Sequence, residues 1–325
     1  MKSVINALAL AGTLVALLHA TAPTAAAREG SGQDGADRWI ASVAGISGIT
    51  VQDWDARVDS VVCRGCTLPD PLAEPLRPSA SGDDTDVSPY AGVSLELMTP
   101  ELPTFGSPRF FLGGEIAGSF GSKRKVAQEG DPGKVGSPAP EGAQDTTPFG
   151  DDVALGQGSQ TIGEMAEVMY GVYAGVAFPF EFRGRALRIK PAIAWMRYEV
   201  DIEGLVVDAD CRPVIGTTEC NTNLGGFLRE TRLGASSTED FDGIGPGLDI
   251  EMDTGRVGPI STSVFAGARF YRILGDRKIK LTAGPEAFDD VLGQDEAAAR
   301  YEFEVDEWMY RFGLGVRLQW LGFDD

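Results

Sequence analysis

Histidine is nearly missing from this chain: the one copy in 325 residues is His19. It sits within the leader-like N-terminus, so the remaining sequence has none. Serine and cysteine nucleophiles generally need a histidine base. Zinc and haem sites lose their commonest ligand as well. Paired carboxylates remain available for acid–base work, but charged strand faces account for them, and the reading is no enzyme, no cofactor and no metal centre. Basic residues are also scarce, 28 Lys and Arg against 48 Asp and Glu, for a net charge of −20. Nucleic acid is thereby excluded, since phosphate binding needs clustered Lys and Arg. A third absence is any long apolar run after the leader. Residues 172–180 form the most apolar stretch, and it is interrupted by glycine and proline. A membrane helix needs about 20 apolar residues, so a membrane-spanning form would have to be a barrel.

Cysteine is limited to Cys63, Cys66, Cys211 and Cys220. In an oxidising compartment, pairing Cys63 with Cys66 and Cys211 with Cys220 is the cheapest of three connectivities. The Cys63-Arg64-Gly65-Cys66 motif lacks the following helix that activates a redox thiol.

What is present begins with the leader. Met1-Lys2, an apolar stretch over residues 7–18 and Ala25-Ala26-Ala27 read as a secretory signal over residues 1–27. Residues 28–49 read as a periplasmic tail, 50–320 as the folded unit and 321–325 as a C-terminal tail.

The strongest pattern lies near the C-terminus. From Trp308 to Trp320 large apolar residues alternate strictly with Met309, Arg311, Gly313, Gly315, Arg317 and Gln319. Period-2 alternation marks a strand. Aromatic residues at its ends and aliphatic ones between suit a strand facing lipid. Seven further segments alternate: 50–62, 90–98, 109–120, 161–182, 187–202, 248–253 and 260–270. Connections between them alternate long (63–89, 121–160, 203–225, 274–298) and short (99–108, 183–186, 254–259). Outer-membrane barrels share this parity, with long loops outside and tight turns on the periplasmic side. Residues 226–254 exceed one crossing, either as a projecting sixth strand with a break or as an added strand pair; the projection is the simpler. Tyr301, Phe303 and Val305 extend the last segment backward, and their phase slips near Glu307, which a bulge explains.

On these features the chain resembles the small outer-membrane β-barrels of the OmpA, OmpX and OmpW kind. Gly315-Val316-Arg317-Leu318-Gln319-Trp320 looks like the signal such proteins present to the barrel-assembly machinery, although five residues follow it here. The resemblance implies an eight-stranded antiparallel transmembrane β-barrel in a Gram-negative outer membrane, in contact with lipid and lipopolysaccharide. It implies a non-enzymatic structural or surface-interaction role, with a small cation-preferring channel or carrier as the alternative.

Asp53, Asp55, Arg57, Asp59, Glu115, Arg197, Glu199, Asp249, Glu251, Asp253, Arg269, Arg311 and Arg317 are expected in the lumen. Eight strands leave just enough room for side chains to fill it. Acidic residues outnumber basic ones in this set, so a pore would prefer cations. Trp54, Trp308, Tyr310 and Trp320 are expected in the aromatic belt. Asp83-Asp84-Thr85-Asp86 and Glu239-Asp240-Phe241-Asp242-Gly243 are expected in acidic loops, where carboxylate spacing could hold divalent cations.

Overall fold

The computed structural model describes residues 38–63, 77–104, 106–121, 123–130, 132, 156–212, 227–258, 260–290 and 293–321. Its elements are strands: β1 (Ile40–Cys63), β2 (Arg77–Met98), β3 (Arg109–Ser119), β4 (Arg124–Glu129), β5 (Gly156–Phe182), β6 (Arg185–Arg212), β7 (Phe227–Val257), β8 (Ile260–Leu274), β9 (Lys278–Asp290) and β10 (Gly293–Leu321). The order β1-β2-β3-β5-β6-β7-β8-β10 closes on itself through antiparallel pairing of β10 with β1. In the ring every strand has a neighbour on each side, which is how a chain without apolar helices can cross lipid with its backbone groups satisfied. No helix among the described residues is long and apolar enough to cross.

The two remaining strands continue interrupted staves. β3 ends at Ser119 and β4 begins at Arg124, and both pair with β5. After β8 the chain breaks at 275–277 and resumes as β9, which pairs with β10. The barrel therefore has the expected eight staves, two of them broken.

Their lengths exceed expectation. β1, β5, β6, β7 and β10 contain 24, 27, 28, 31 and 29 residues, whereas a bilayer needs about 9–11. β1 begins at Ile40, so residues 40–49 are its membrane-crossing part and not a periplasmic tail. Much of what reads as long loop is strand, including β4, β9, the start of β2 and the end of β6. Residues 227–243 belong to β7, whose pairing with β6 runs from Leu187 opposite Met252 to Arg212 opposite Phe227 without a shift. The projecting strand is thus right and the break within it is not. At the other end the turns are tight. Arg183 and Gly184 both take positive φ (52° and 73°), as a two-residue hairpin turn matched to strand twist requires.

These long staves divide into two zones with opposite polarity. Toward the tight turns, outward positions are apolar and exposed: Val93, Leu95, Leu97, Phe110, Leu112, Ile116, Val172, Ile193, Leu248, Ile250 and Val316 form a belt. Trp308 and Trp320 bracket it on β10 and are both exposed, and Tyr310 packs edge-on to Phe270 at 5.8 Å. Toward the loops the inside is apolar. Trp54, Val58, Tyr198, Val200, Tyr301, Phe303 and Val305 are fully or almost fully buried. Trp54 tilts against Phe303 at 5.6 Å, and Tyr198 stacks on Phe241 at 5.6 Å.

Trp54 is consequently not a belt residue: it fills the core of the projecting zone. Asp53, Asp55 and Arg57, expected in the lumen, are exposed on the outer wall, and Asp59 shares that wall, paired to Arg57 at 2.9 Å. Arg197 and Glu199 also lie outside, Arg197 bonded to Asp242 at 2.7 and 2.9 Å. Alternation identifies which residues share a face, but the surrounding medium decides which face turns inward. In lipid the apolar side turns out, and in water it turns in.

The slip near Glu307 has the same origin. A register shift does occur, Gln52 opposing Met309 and Trp54 opposing Val305. It inserts an even number of extra residues, so odd positions of β10 point inward both above and below it. What changes across it is the medium.

Candidate functional site: the lumen

Below the projecting core the lumen is filled with charge. Lys190 of β6 is paired to Glu96 of β2 and lies 3.3 Å from Glu251 of β7. Arg317 of β10 also pairs with Glu96, with its Nε 3.6 Å from Glu251. Arg188 joins Asp253 and reaches Glu251 at 3.3 Å. Ser263 donates to Glu251 at 2.6 Å, and Gln319 donates to the same carboxylate. One layer higher, Arg269 binds Asp249 through two contacts of 3.2 and 3.3 Å, and Arg311 pairs with Glu115.

Aromatic rings close the remaining space. Arg311 lies 3.9 Å from the Tyr90 ring centre, Lys190 4.6 Å from Phe111, Arg317 4.9 Å from Phe265 and Arg269 5.0 Å from Tyr173. A cation over a ring face is attracted by its quadrupole, more strongly once desolvated. The void left between Tyr90, Glu115, Tyr173, Phe265, Arg269 and Arg317 is about 10 Å³, room for roughly one water molecule.

Seven of the expected luminal charges come together here: Glu115, Asp249, Glu251, Asp253, Arg269, Arg311 and Arg317. Sequence reading left Glu96, Arg188 and Lys190 out of the set. Lys190 sits in a stretch apolar on both faces, where no alternation is visible. The missed cue was its spacing of two from Arg188, which puts both on the face of Ala192 and Ala194. With these included and the outer-wall residues removed, five cationic side chains face five carboxylates. The acidic surplus that suggested cation preference sits on the outer wall instead.

That wall is charged throughout. Asp55 stands directly opposite Asp83 on one side and Glu304 on the other. Partial burial first, then Asp83, Glu304, Asp306 and Asp53, hold its carboxyl above the ordinary range. Lys278 answers Glu304 at 2.9 Å, and that bond raises the lysine above its usual value. The segments Asp83–Asp86 and Glu239–Gly243, expected as acidic loops with spacing that could hold a cation, are strand, so successive carboxylates point to opposite faces. Among the described residues no three His, Cys, Asp or Glu side chains are placed to hold a metal. The cysteine pairings fall outside the residues whose side chains are described.

A closed antiparallel ring, an exposed apolar belt with aromatic ends and an ion-paired interior define a transmembrane β-barrel of the outer-membrane kind. No family model matches the chain, and no curated protein matches it in sequence. Among solved structures it is similar to the outer membrane protease OmpT of Escherichia coli, at 9% identity and a TM-score of 0.32 over 88% of this chain and 97% of that one. It is also similar to Ail, the attachment invasion locus protein of Yersinia pestis (8% identity, TM-score 0.22, 84% and 98% covered). A third is OprG of Pseudomonas aeruginosa (10% identity, TM-score 0.20, 87% and 98% covered).

Proposed function

We propose that this is a non-enzymatic outer-membrane barrel whose role is structural or surface-interacting, holding a stiff charged wall above the membrane, and that its lumen is not a conduit. The sealed ion-pair layer carries this reading. Every cation in it is matched to a carboxylate, although atoms of Glu96, Arg269, Arg311 and Arg317 are left without a hydrogen-bond partner. Charges taken out of water in this way need their partners, so opening the layer to an ion would require breaking several pairs together. The projecting zone supports the same reading, because its apolar core blocks the axis a second time.

Planar-bilayer recording of the purified, folded protein tests it. The expected result is no reproducible conductance steps from the native chain. Arg317→Ala, which removes a side chain from the centre of the layer, is expected to introduce small steps. Reproducible steps in the native protein that change size on Glu251→Gln would instead establish the channel reading.

A further inference from the structure

Where the luminal ion pairs give way to the apolar core, the barrel wall is irregular. β3 ends at Ser119 and β4 begins at Arg124, and the facing β5 carries a register shift between Met165 and Met169. Behind this gap lies a group of buried oxygens. Thr50 and Ser88 are 0% exposed, Asp86 1% and Ser119 6%. Ser88 donates to one carboxylate oxygen of Asp86 at 2.6 Å, and Thr50 is its neighbour across the β1–β2 ladder. Three oxygens of this group, Asp86 Oδ1, Thr50 Oγ1 and Ser119 Oγ, have no hydrogen-bond partner. Buried polar atoms are rarely left so, and each such atom calls for an occupant or an explanation.

Beside Gly121 three of the surrounding oxygens face one point, and the nearest heavy atom to it is 2.9 Å away. A Cβ placed on Gly121 would stand 2.9 Å from Ser88 Oγ, 3.2 Å from the Met165 carbonyl oxygen and 3.6 Å from Ser119 Oγ. Two hydroxyl oxygens and one carbonyl oxygen therefore converge on a point too tight for a methyl group, and the Asp86 carboxylate joins them through its bond from Ser88. All of these donors are oxygen, the set that hard cations select. Burial acts first on Asp86, then the Ser88 bond and the Arg124 cation, and Asp84 and Glu164 add negative charge nearby. Arg124 stops with its Nε 3.8 Å from Asp86 Oδ1, and that Nε is itself without a hydrogen-bond partner. Its side chain is 38% exposed, so it is free to swing toward water when a better-fitting cation arrives.

We propose that this junction is a calcium site, with the Asp86 carboxylate, the Thr50, Ser88 and Ser119 hydroxyls and the Met165 carbonyl as donors. These groups come from β1, β2, β3 and β5, so the ion ties four staves together where the wall is broken. A single carboxylate among neutral oxygens suits the weak, millimolar affinities of extracellular calcium modules.

Thermal unfolding of the folded barrel in detergent tests the site, comparing 10 mM calcium chloride with sodium chloride of equal ionic strength. Calcium is expected to raise the midpoint by about 2–4 °C and sodium to leave it unmoved. Gly121→Ala and Asp86→Asn should each abolish the rise. Asp55→Asn, in the exposed acidic row, should keep it. An equal rise with sodium overturns the proposal, as does a response lost in Asp55→Asn but retained in Gly121→Ala and Asp86→Asn. Should either junction variant fail to fold, terbium emission excited through the tryptophans supplies a second reading on the native chain and on the milder Ser119→Ala. Displacement by calcium and a severalfold weakening in Ser119→Ala support the site. Absence of terbium emission from the native protein overturns it.

Discussion

The membrane-crossing zone and the projecting zone are built from the same staves, yet each is the other turned inside out. Below, Lys190, Arg317 and Glu251 face the axis and Val316 faces out; above, Trp54 and Phe303 face the axis and Asp53 and Asp55 face out. The sense of the alternation does not change between them, although the register shifts at their junction and β4 and β9 take over from β3 and β8. The stabilising term does change. In lipid the belt is at home on the outside, so the interior is free to be polar provided its charges are matched. In water the apolar atoms gain by leaving the solvent, at about 25 cal/mol per Å² buried.

The contrast is sharpest for substitutions in the two interiors. Lys190→Met leaves Glu96 and Glu251 short of a cation in the buried layer and should cost about 3–5 kcal/mol. Trp54→Ala should cost a similar ~3–5 kcal/mol through lost packing and a cavity. The two effects separate in a double mutant with Glu96→Gln, measured by urea unfolding in detergent. That change should recover part of the Lys190 loss and none of the Trp54 loss. Equal recovery in both would break the distinction.

Next in size is a test of the two exteriors. Val316→Arg, within the belt, should cost about 2–4 kcal/mol. Asp53→Arg, on the outer face of the projecting zone, should stay within about 0.5 kcal/mol of the native chain. Refolding yield into lipid vesicles and the unfolding midpoint report both, and a similar cost at the two positions would mean that the belt extends further up than its aromatic ends.

The smallest effect concerns Asp55, whose folded carboxyl is held above its unfolded value of 3.8. A raised carboxyl means the folded state holds the proton more tightly. The cost of partial burial and of the neighbouring carboxylates is therefore present in full above the folded value and relieved as pH falls below 3.8. Asp55→Asn should stabilise at neutral pH and low salt, by no more than about 0.5 kcal/mol, the scale of one cross-strand pair. That gain should fade in acid and in high salt. A gain that grows on acidification would contradict the charge arrangement.

How much of this was written in the sequence differs between the zones in the same way. Alternation and the parity of connections gave eight staves, their closure and the luminal places of Glu115, Asp249, Glu251, Asp253, Arg269, Arg311 and Arg317. The reversal at Trp54, Asp53, Asp55, Arg57, Arg197 and Glu199 was hidden, because a period of two is blind to which side is wet. Lys190 was hidden differently, as one charge within a run apolar on both faces. Strand content in residues expected as loops was missed because Gly, Ser and Asp dominate Ser236–Gly243 and Asp83–Asp86. Pairing with β6 and β1 overrides those local preferences.

The reversal of polarity along each stave also serves as a depth stop. Shifting the barrel inward by two residues per stave, roughly 5 Å along the membrane normal for a strand tilted near 45°, would drag Asp53 and its neighbours toward the hydrocarbon. Shifting it outward would strip lipid from the upper belt. Both moves are uphill, so the protein's height above the surface is set by its own side chains, and whatever the charged wall meets is met at a fixed distance from the lipid.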